Sequence, residues 1–401
     1  MKKQLVICGG GSSAHTLIPL LKDSGFDVSI FTSKPEKWQK TIELQYQDPD
    51  GNVLETFSGP LKKASDNAAE IIPDADYIVF CMPVHKYRVG LHEIAPYINK
   101  TKNVFVGTVY GQGGWNWMVD EIKKEYSLDN IVTFAFGLIP WIARIIDYGH
   151  IGVTYGCKAT NYAACSPKSY FKQLDEELLE NICNKWFGKG EVEQSDNFLS
   201  LTLSVDNQII HTSRCFGLYK VYGQTWKRRE DVPMFYRDYD DVSAQLLADL
   251  DADYSKIREE IIKRYPQKDY KYMLDYLALE RFSYKSHNTD VKESFVTSKT
   301  LVAIGTPVIQ NAEGLWEVDR NHRFFLDDIY YGNCIAKWLA EKMDIETPTI
   351  DAILHWAQIV RNEKFIDDNN KLILDSDDLK APFKIGIPCE YGFTTIDDIV
   401  D

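Results

Sequence analysis

The sequence has no CxxC pair: its eight cysteines stand singly at positions 8, 81, 157, 165, 183, 215, 334 and 389, none at a spacing that pairs it with histidine. That argues against a zinc site or a disulfide frame and reads as reduced core cysteine. No stretch approaches the ~20 apolar residues needed to span a bilayer. The opening, MKKQLVICGGG, has two lysines and then an apolar run of about five residues. A secretory core needs ~7–15, so the run reads as a first strand and the chain as cytoplasmic. Basic residues are in deficit, 45 Lys and Arg against 59 Asp and Glu, for a net charge of −14. Such a balance repels phosphate backbones and anionic membranes, so nucleic acid and membrane are disfavoured as partners, and an anionic ligand needs a local site. Solenoid repeats and low-complexity segments are also missing. What is there is ordinary for a soluble globular protein: 401 residues, 44% hydrophobic and 26% charged, enough for two domains.

Over the first ~150 residues short apolar runs alternate with helical stretches, as a parallel α/β sheet requires. The spacing predicts strands at Leu5–Cys8, Val28–Phe31, Tyr77–Met82, Val104–Thr108 and Ile131–Phe136, with helical stretches at Ala14–Lys22 and Val84–Ile98 between them. Aspartate and glycine in Gln47–Asn52 suggest a hairpin between Glu43–Tyr46 and Val53–Phe57. After about residue 185 the texture becomes helical, as in Asp241–Tyr265, Cys334–Met343 and Thr349–Arg361. Pro348 fits a helix start after the break at 344–348. The reading is an N-terminal Rossmann dinucleotide-binding domain over 1–185 and a mainly α-helical substrate domain over 186–401.

The strongest local motif is Gly9-Gly10-Gly11-Ser12-Ser13-Ala14, a G-x-G-x-x-A pattern that ends the first strand and opens a helix. Gly9 allows the tight turn, Gly11 lets a pyrophosphate approach the backbone, and Ala14 lets the helix pack closely on the sheet. The free amides at the helix start face the phosphate. The second strand ends in Thr32-Ser33-Lys34 rather than in the acid that accepts the ribose hydroxyls of NAD. Lys34, with Lys37 nearby, could meet the 2′-phosphate of NADP or be a solvated surface charge, so the cofactor is NADP or NAD with a lean to NADP. Pro83 ends the strand YIVFCMP where the nicotinamide half would lie, or simply starts the next helix. The loop GTVYGQGG at 107–114 could turn Gln112 into a cleft.

The order of these elements resembles that of the opine dehydrogenases, which join an α-keto acid to the amino group of an amino acid by reductive condensation. CGGGSSAHTL is similar to the family's cofactor loop, IPWIARIIDYG at 139–149 to its proline-tryptophan segment, and NQIIHTSR at 207–214 to its catalytic histidine segment. RFFLDDI from Arg323 and YGFTTID from Tyr391 resemble its arginine-to-acid stretch and its C-terminal pattern. The chain departs from the family at Thr212 and Tyr330, which stand where proline is usual, and at the apolar Gly137-Leu138-Ile139 before Pro140.

The resemblance implies His211 as the proton-transferring residue, which suits a side chain with an unperturbed pKa of ~6.5. Asp328, with Asp327 as runner-up, would fix its tautomer and favour its charged form. Arg323 would bind the pyrophosphate or a substrate carboxylate, with Arg144 a weaker candidate that could instead pair with Asp147. No metal is required. Two other readings fit the architecture: a ketopantoate reductase or 2-hydroxyacid-type enzyme reducing C=O, and a non-catalytic dinucleotide sensor that needs only the glycine loop.

Overall fold

The apolar runs of the N-terminal half build a parallel sheet because each strand is buried on both faces and needs no polar side. The computed structural model describes residues 2–204, 206–298, 301 and 304–400. In chain order the first part comprises β1 (Lys3–Cys8), α1 (Ser12–Leu20), β2 (Phe26–Phe31), β3 (Thr41–Gln47), β4 (Val53–Pro60), β5 (Lys63–Ser65), β6 (Tyr77–Phe80), α2 (Tyr87–Ile94), β7 (Val104–Thr108), α3 (Trp115–Tyr126), β8 (Ile131–Phe136), β9 (Trp141–Asp147), β10 (Ile151–Cys157), β11 (Thr160–Ser166) and β12 (Glu191–Ser195). The larger sheet has eight strands in the order β12-β11-β8-β7-β6-β1-β2-β5, parallel from β5 to β8. The order reverses between β1 and β6, so the crevice for a ligand opens at the carboxyl end of β1, where the glycine loop lies.

The hairpin forms as the turn chemistry requires. Asp48 Oδ1 accepts the amides of Asp50 and Asn52, each at 2.9 Å, and Gly51 takes φ +86°. Its strands join β10 and β9 in a second sheet of four, β4-β3-β10-β9. Helix α1 rests on that sheet while Ala14, Leu17 and Ile18 share a core with Leu5, Ile7 and Val28 of the larger one. Two glycines permit the approach: a Cβ at Gly59 would lie 2.6 Å from the Ile18 carbonyl oxygen, and one at Gly152 would lie 2.8 Å from the His15 Cβ.

The chain divides into two compact units, the first running through Thr202 with 269–272 and 282–285, the second comprising the rest. Strand β12 lies past residue 185, where the sequence reading divides the chain, and its pairing with β11 keeps it in the first unit. The second unit contains α4 (Asn207–Tyr222), α5 (Asp241–Arg264), α6 (Cys334–Met343) and α7 (Pro348–Arg361), plus a small sheet of β13 (Thr225–Trp226), β14 (Val308–Gln310) and β15 (Trp316–Val318). Pro348 occupies the first turn of α7, whose Thr349 and Ile350 amides donate to the buried Asp253 of α5 at 2.7 and 3.2 Å. Seven of the eight cysteines are buried. Among the described residues no helix is long and apolar enough to cross a membrane, and no group of three or more His, Cys, Asp or Glu is placed to hold a metal ion.

Candidate active site

In the first unit the glycine loop closes tightly over Cys81, the residue that follows β6. Gly9 has φ +106°, and a Cβ there would lie 2.6 Å from the Cys81 carbonyl oxygen, so only glycine fits. A Cβ at Gly10 would fall 2.5 Å from the Tyr148 hydroxyl and 3.1 Å from the Thr32 Oγ1. Gly11 caps α1 with φ −79° and has room beside it, the nearest atom to a Cβ being the Cys81 carbonyl oxygen at 3.6 Å. Ser12 and Ser13 begin the helix, and Ala14 is fully buried against the core. A cradle emptied of side chains beside free helix amides fits a dinucleotide pyrophosphate.

His15 fastens this loop. The Gly149 amide donates to its Nε2 at 2.7 Å, which leaves Nδ1–H to donate to the Gly11 carbonyl at 2.9 Å. Both bonds require a neutral ring, and burial holds its pKa below the ordinary value. Trp38 and Tyr148 pack around it with ring centroids 4.6 and 5.5 Å away. A pocket of about 450 Å³ opens beside the loop, walled by Gly9, Gly10, Thr32, Ser33, Asp66 and Tyr148 among others. Thr32 is buried and its amide donates to the Ser65 carbonyl at 3.0 Å, which brings the end of β5 beside the end of β2. Asp66 therefore faces the same pocket, a carboxylate the sequence reading sought only at the end of β2. Lys34 is exposed and does not line that pocket; its Nζ lies 6.0 Å from the Tyr148 ring centroid.

The remaining first-unit candidates are dispersed. Pro83 is exposed and opens the 3-10 turn Val84–Lys86. Gln112 is buried, and its Oε1 accepts the Tyr110 hydroxyl. Arg144 is exposed on the edge strand β9 and donates to its neighbour's carbonyl, that of Ala143, at 2.7 Å. Asp147, its anticipated partner, lies instead 3.2 Å from the His150 Nδ1.

In the second unit the structure joins the two residues proposed for proton transfer. His211 Nδ1 lies 2.8 Å from Asp328 Oδ2, both side chains being at least 95% buried. The imidazole stacks on Phe324 with centroids 3.7 Å apart, and its Nε2 lies 3.4 Å from the Tyr236 hydroxyl. Asp328 is set between a short helix, Arg323–Leu326, and a π turn, Ile329–Asn333. The Asn333 side-chain amide braces that junction, donating to the carbonyls of Asp328 at 2.9 Å and Gln208 at 3.3 Å and to the Thr212 Oγ1 at 3.3 Å. Thr212, where the family has proline, thus supplies a bond that proline lacks. Tyr330 likewise bonds to Glu363 and receives the Arg361 Nε at 3.1 Å.

One expectation is corrected. The charged imidazole is not the favoured form, because burial, reinforced by the positive charge of Arg323, holds the His211 pKa well below its ordinary value. Burial and then the neighbouring Asp327 push Asp328 well above the ordinary carboxyl range, with Arg323 opposing. A dry pair resists carrying net charge, so it retains one proton along the 2.8 Å bond. In that form Nε2 carries a hydrogen and is an acid; once it is lost, Asp328 accepts from Nδ1–H and Nε2 is a base. Arg323 is half-buried with its guanidinium carbon 5.6 Å from the Phe324 ring centroid.

These features define a Rossmann-type dinucleotide-binding protein whose helical unit carries a buried His–Asp pair. The family described as NAD/NADP octopine/nopaline dehydrogenase, alpha-helical domain, matches residues 194–361. The chain is 23% identical to the opine dehydrogenase of Haliotis discus hannai over 100% of this chain and 99% of that one. It is 22% identical to the tauropine dehydrogenase of Arabella iricolor over 99% of each. A solved octopine dehydrogenase in complex with NADH and agmatine has the same fold, with a TM-score of 0.80 at 20% identity, covering 99% of this chain and 98% of that one. Together these findings make the chain similar to opine dehydrogenases over nearly its whole length, with the family's helical domain matched at 194–361.

Proposed function

We propose that the chain is an NAD(P)H-dependent opine dehydrogenase, condensing an α-keto acid with the amino group of an amino acid and catalysing the reverse oxidation. The observation that carries this reading is the buried His211–Asp328 pair, lying inside the segment that matches the family's helical domain. A bound nicotinamide supplies the hydride for the former carbonyl carbon. The chain's own part begins with the α1 amides and the glycine loop Gly9–Ala14, which hold the pyrophosphate. His211 serves as the acid: Nε2–H protonates the carbinolamine oxygen as water leaves and the iminium forms, and Asp328 fixes the ring through Nδ1. In the oxidative direction the same nitrogen is the base. Arg323 is assigned to the pyrophosphate or a substrate carboxylate, and Gln112 and Arg144 to substrate polar groups. A cytoplasmic location belongs to the same reading.

On cofactor choice, the lean to NADP rested on Lys34. Asp66 in the pocket wall weighs the other way, since a carboxylate accepts ribose hydroxyls and repels a 2′-phosphate, so NAD is the cofactor we assign. Asp66→Asn is expected to raise affinity for NADPH relative to NADH by ~10-fold, about the effect of one removed charge repulsion at an exposed site. Lys34→Ala should weaken NADPH no more than NADH; a loss confined to NADPH would return the lysine to the 2′-phosphate.

Co-substrate dependence of NADH oxidation tests the reading as a whole. Oxidation should require a keto acid and an amino acid together. Equal rates with keto acid alone would identify a carbonyl reductase, and cofactor binding with no turnover across the panel a sensor.

A further inference from the structure

Three residues past His211 on α4, Arg214 is fully buried and its guanidinium makes five hydrogen bonds. It donates to the carbonyls of Phe235 at 2.9 Å, Met234 at 3.1 Å and Asp238 at 2.8 Å, to the Asp240 carboxylate at 2.5 Å and to the Ser243 hydroxyl at 3.1 Å. Four of these acceptors belong to the segment 234–240, which enters neither a long helix nor a sheet. Only a planar fork with five donors can satisfy them together, and lysine cannot replace it. Two aromatic residues of that segment meet His211. Phe235 packs against its ring at 5.7 Å, and the Tyr236 hydroxyl stands 3.4 Å from Nε2.

From this we infer that Tyr236 is a positioning residue for the proton step and that Arg214 holds it there, an inference that rests on the acid–base reading of His211. The argument is one of donors and acceptors. Asp328 occupies Nδ1, so Nε2 alone can exchange a proton with substrate. A phenol hydroxyl is both donor and acceptor. It accepts from Nε2–H in the resting pair, gives way to the carbinolamine oxygen for the transfer itself, and donates to the Nε2 lone pair once the pair is a base. Phe324 stacked on one face completes the restraint on the ring, so Nε2 keeps its direction through both protonation states. Phe295 packs against the Tyr236 ring with centroids 5.4 Å apart. The charged and titratable groups facing the pair are Arg323 and His322 toward His211, and Asp327, Asp206, Cys215 and Tyr254 toward Asp328. None of them takes the position opposite Nδ1 that Tyr236 holds.

The test is Tyr236→Phe in the full chain, measured beside His211→Asn. For Tyr236→Phe, kcat with NADH, keto acid and amino acid should fall by ~10- to 100-fold, the size of one lost hydrogen bond to a charged group, with NADH affinity and melting temperature unchanged. The alkaline limb of the reductive pH profile should move to higher pH, because the deprotonated, anionic pair loses the hydroxyl that donates to it. The His211 ring resonances in histidine-labelled NMR spectra of the chain without ligands should titrate with the same upward shift. Arg214→Lys should reproduce the drop and the shift, and the double variant should be no worse than the weaker single. If Arg214→Lys does not fold, Tyr236→Phe decides alone. Wild-type kcat and an unmoved limb in Tyr236→Phe, with His211→Asn inactive, overturn the inference and leave the acid–base reading standing. A fall in kcat with a lowered melting temperature and an unmoved limb also overturns it, as a structural effect. Full turnover in His211→Asn removes the reading and the inference together.

Discussion

Replacing His211 by asparagine is expected to lower kcat by ~10²–10⁴ while leaving dinucleotide affinity nearly unchanged, the usual size of general acid–base catalysis. Asparagine is chosen because a smaller apolar residue would strand Asp328 as an unpaired buried acid, at ~3–5 kcal/mol of stability. Asp328→Asn should also lower kcat, by another route. A carboxamide oxygen accepts Nδ1–H and leaves Nε2 without a hydrogen, so the acid becomes a lone imidazolium in a site whose dryness and positive neighbour, Arg323, oppose it. Loss of the retained proton then begins at lower pH, and the alkaline limb of the reductive reaction moves down, opposite in sign to the shift expected for Tyr236→Phe. Since the two residues act as a unit, the double variant should be no worse than His211→Asn. Steady-state kinetics over pH 5–10 (~) with saturating NADH reads all three outcomes.

The glycine loop gives the second large effect, and the structure separates its fold role from its binding role. At Gly11, φ −79° suits any residue and a Cβ has space, while the position caps α1. Aspartate is among the preferred N-cap residues, so Gly11→Asp should keep or raise the melting temperature. Yet its charge lies where a pyrophosphate would sit, and NADH binding by calorimetry should be lost. Gly9→Ala should do the reverse damage. With φ +106° and a Cβ 2.6 Å from the Cys81 carbonyl oxygen, it should destabilise the first unit by ~1–3 kcal/mol. Undiminished NADH affinity in Gly11→Asp would remove the loop from the cofactor site.

Particular elements explain which parts were legible in the sequence. The five core strands were readable because burial on both faces makes them continuous apolar runs, and the hairpin because Asp48 and Gly51 carry its turn chemistry. Strand β9 was not, since WIARIID alternates poorly and four of its seven residues are exposed at a sheet edge. The dyad was legible only through family resemblance: 117 residues separate its members, and nothing local distinguishes Asp328 from Asp327. Its electrostatics were misjudged because burial, not the partner charge, dominates, and burial depends on the packed fold. Asp66 escaped notice because it follows β5, and only the pairing of β5 with β2 places it beside Thr32. Arg214 and Tyr236 had a partial signal, the three-residue spacing from His211 to Arg214, but the loop that Arg214 clamps has no periodicity to announce it.

The central claim, that the chain reduces a C=N bond formed between two substrates, is tested most directly by isotope and mass. NADH deuterated at the transferred position is incubated with the chain, pyruvate or another α-keto acid, and a panel of amino acids, and the products are weighed. The account predicts a secondary amine whose mass is the sum of keto acid and amino acid less water plus one deuterium and one hydrogen, with the deuterium on the former carbonyl carbon. A deuterated 2-hydroxy acid, with the amino acid recovered unchanged, would contradict it.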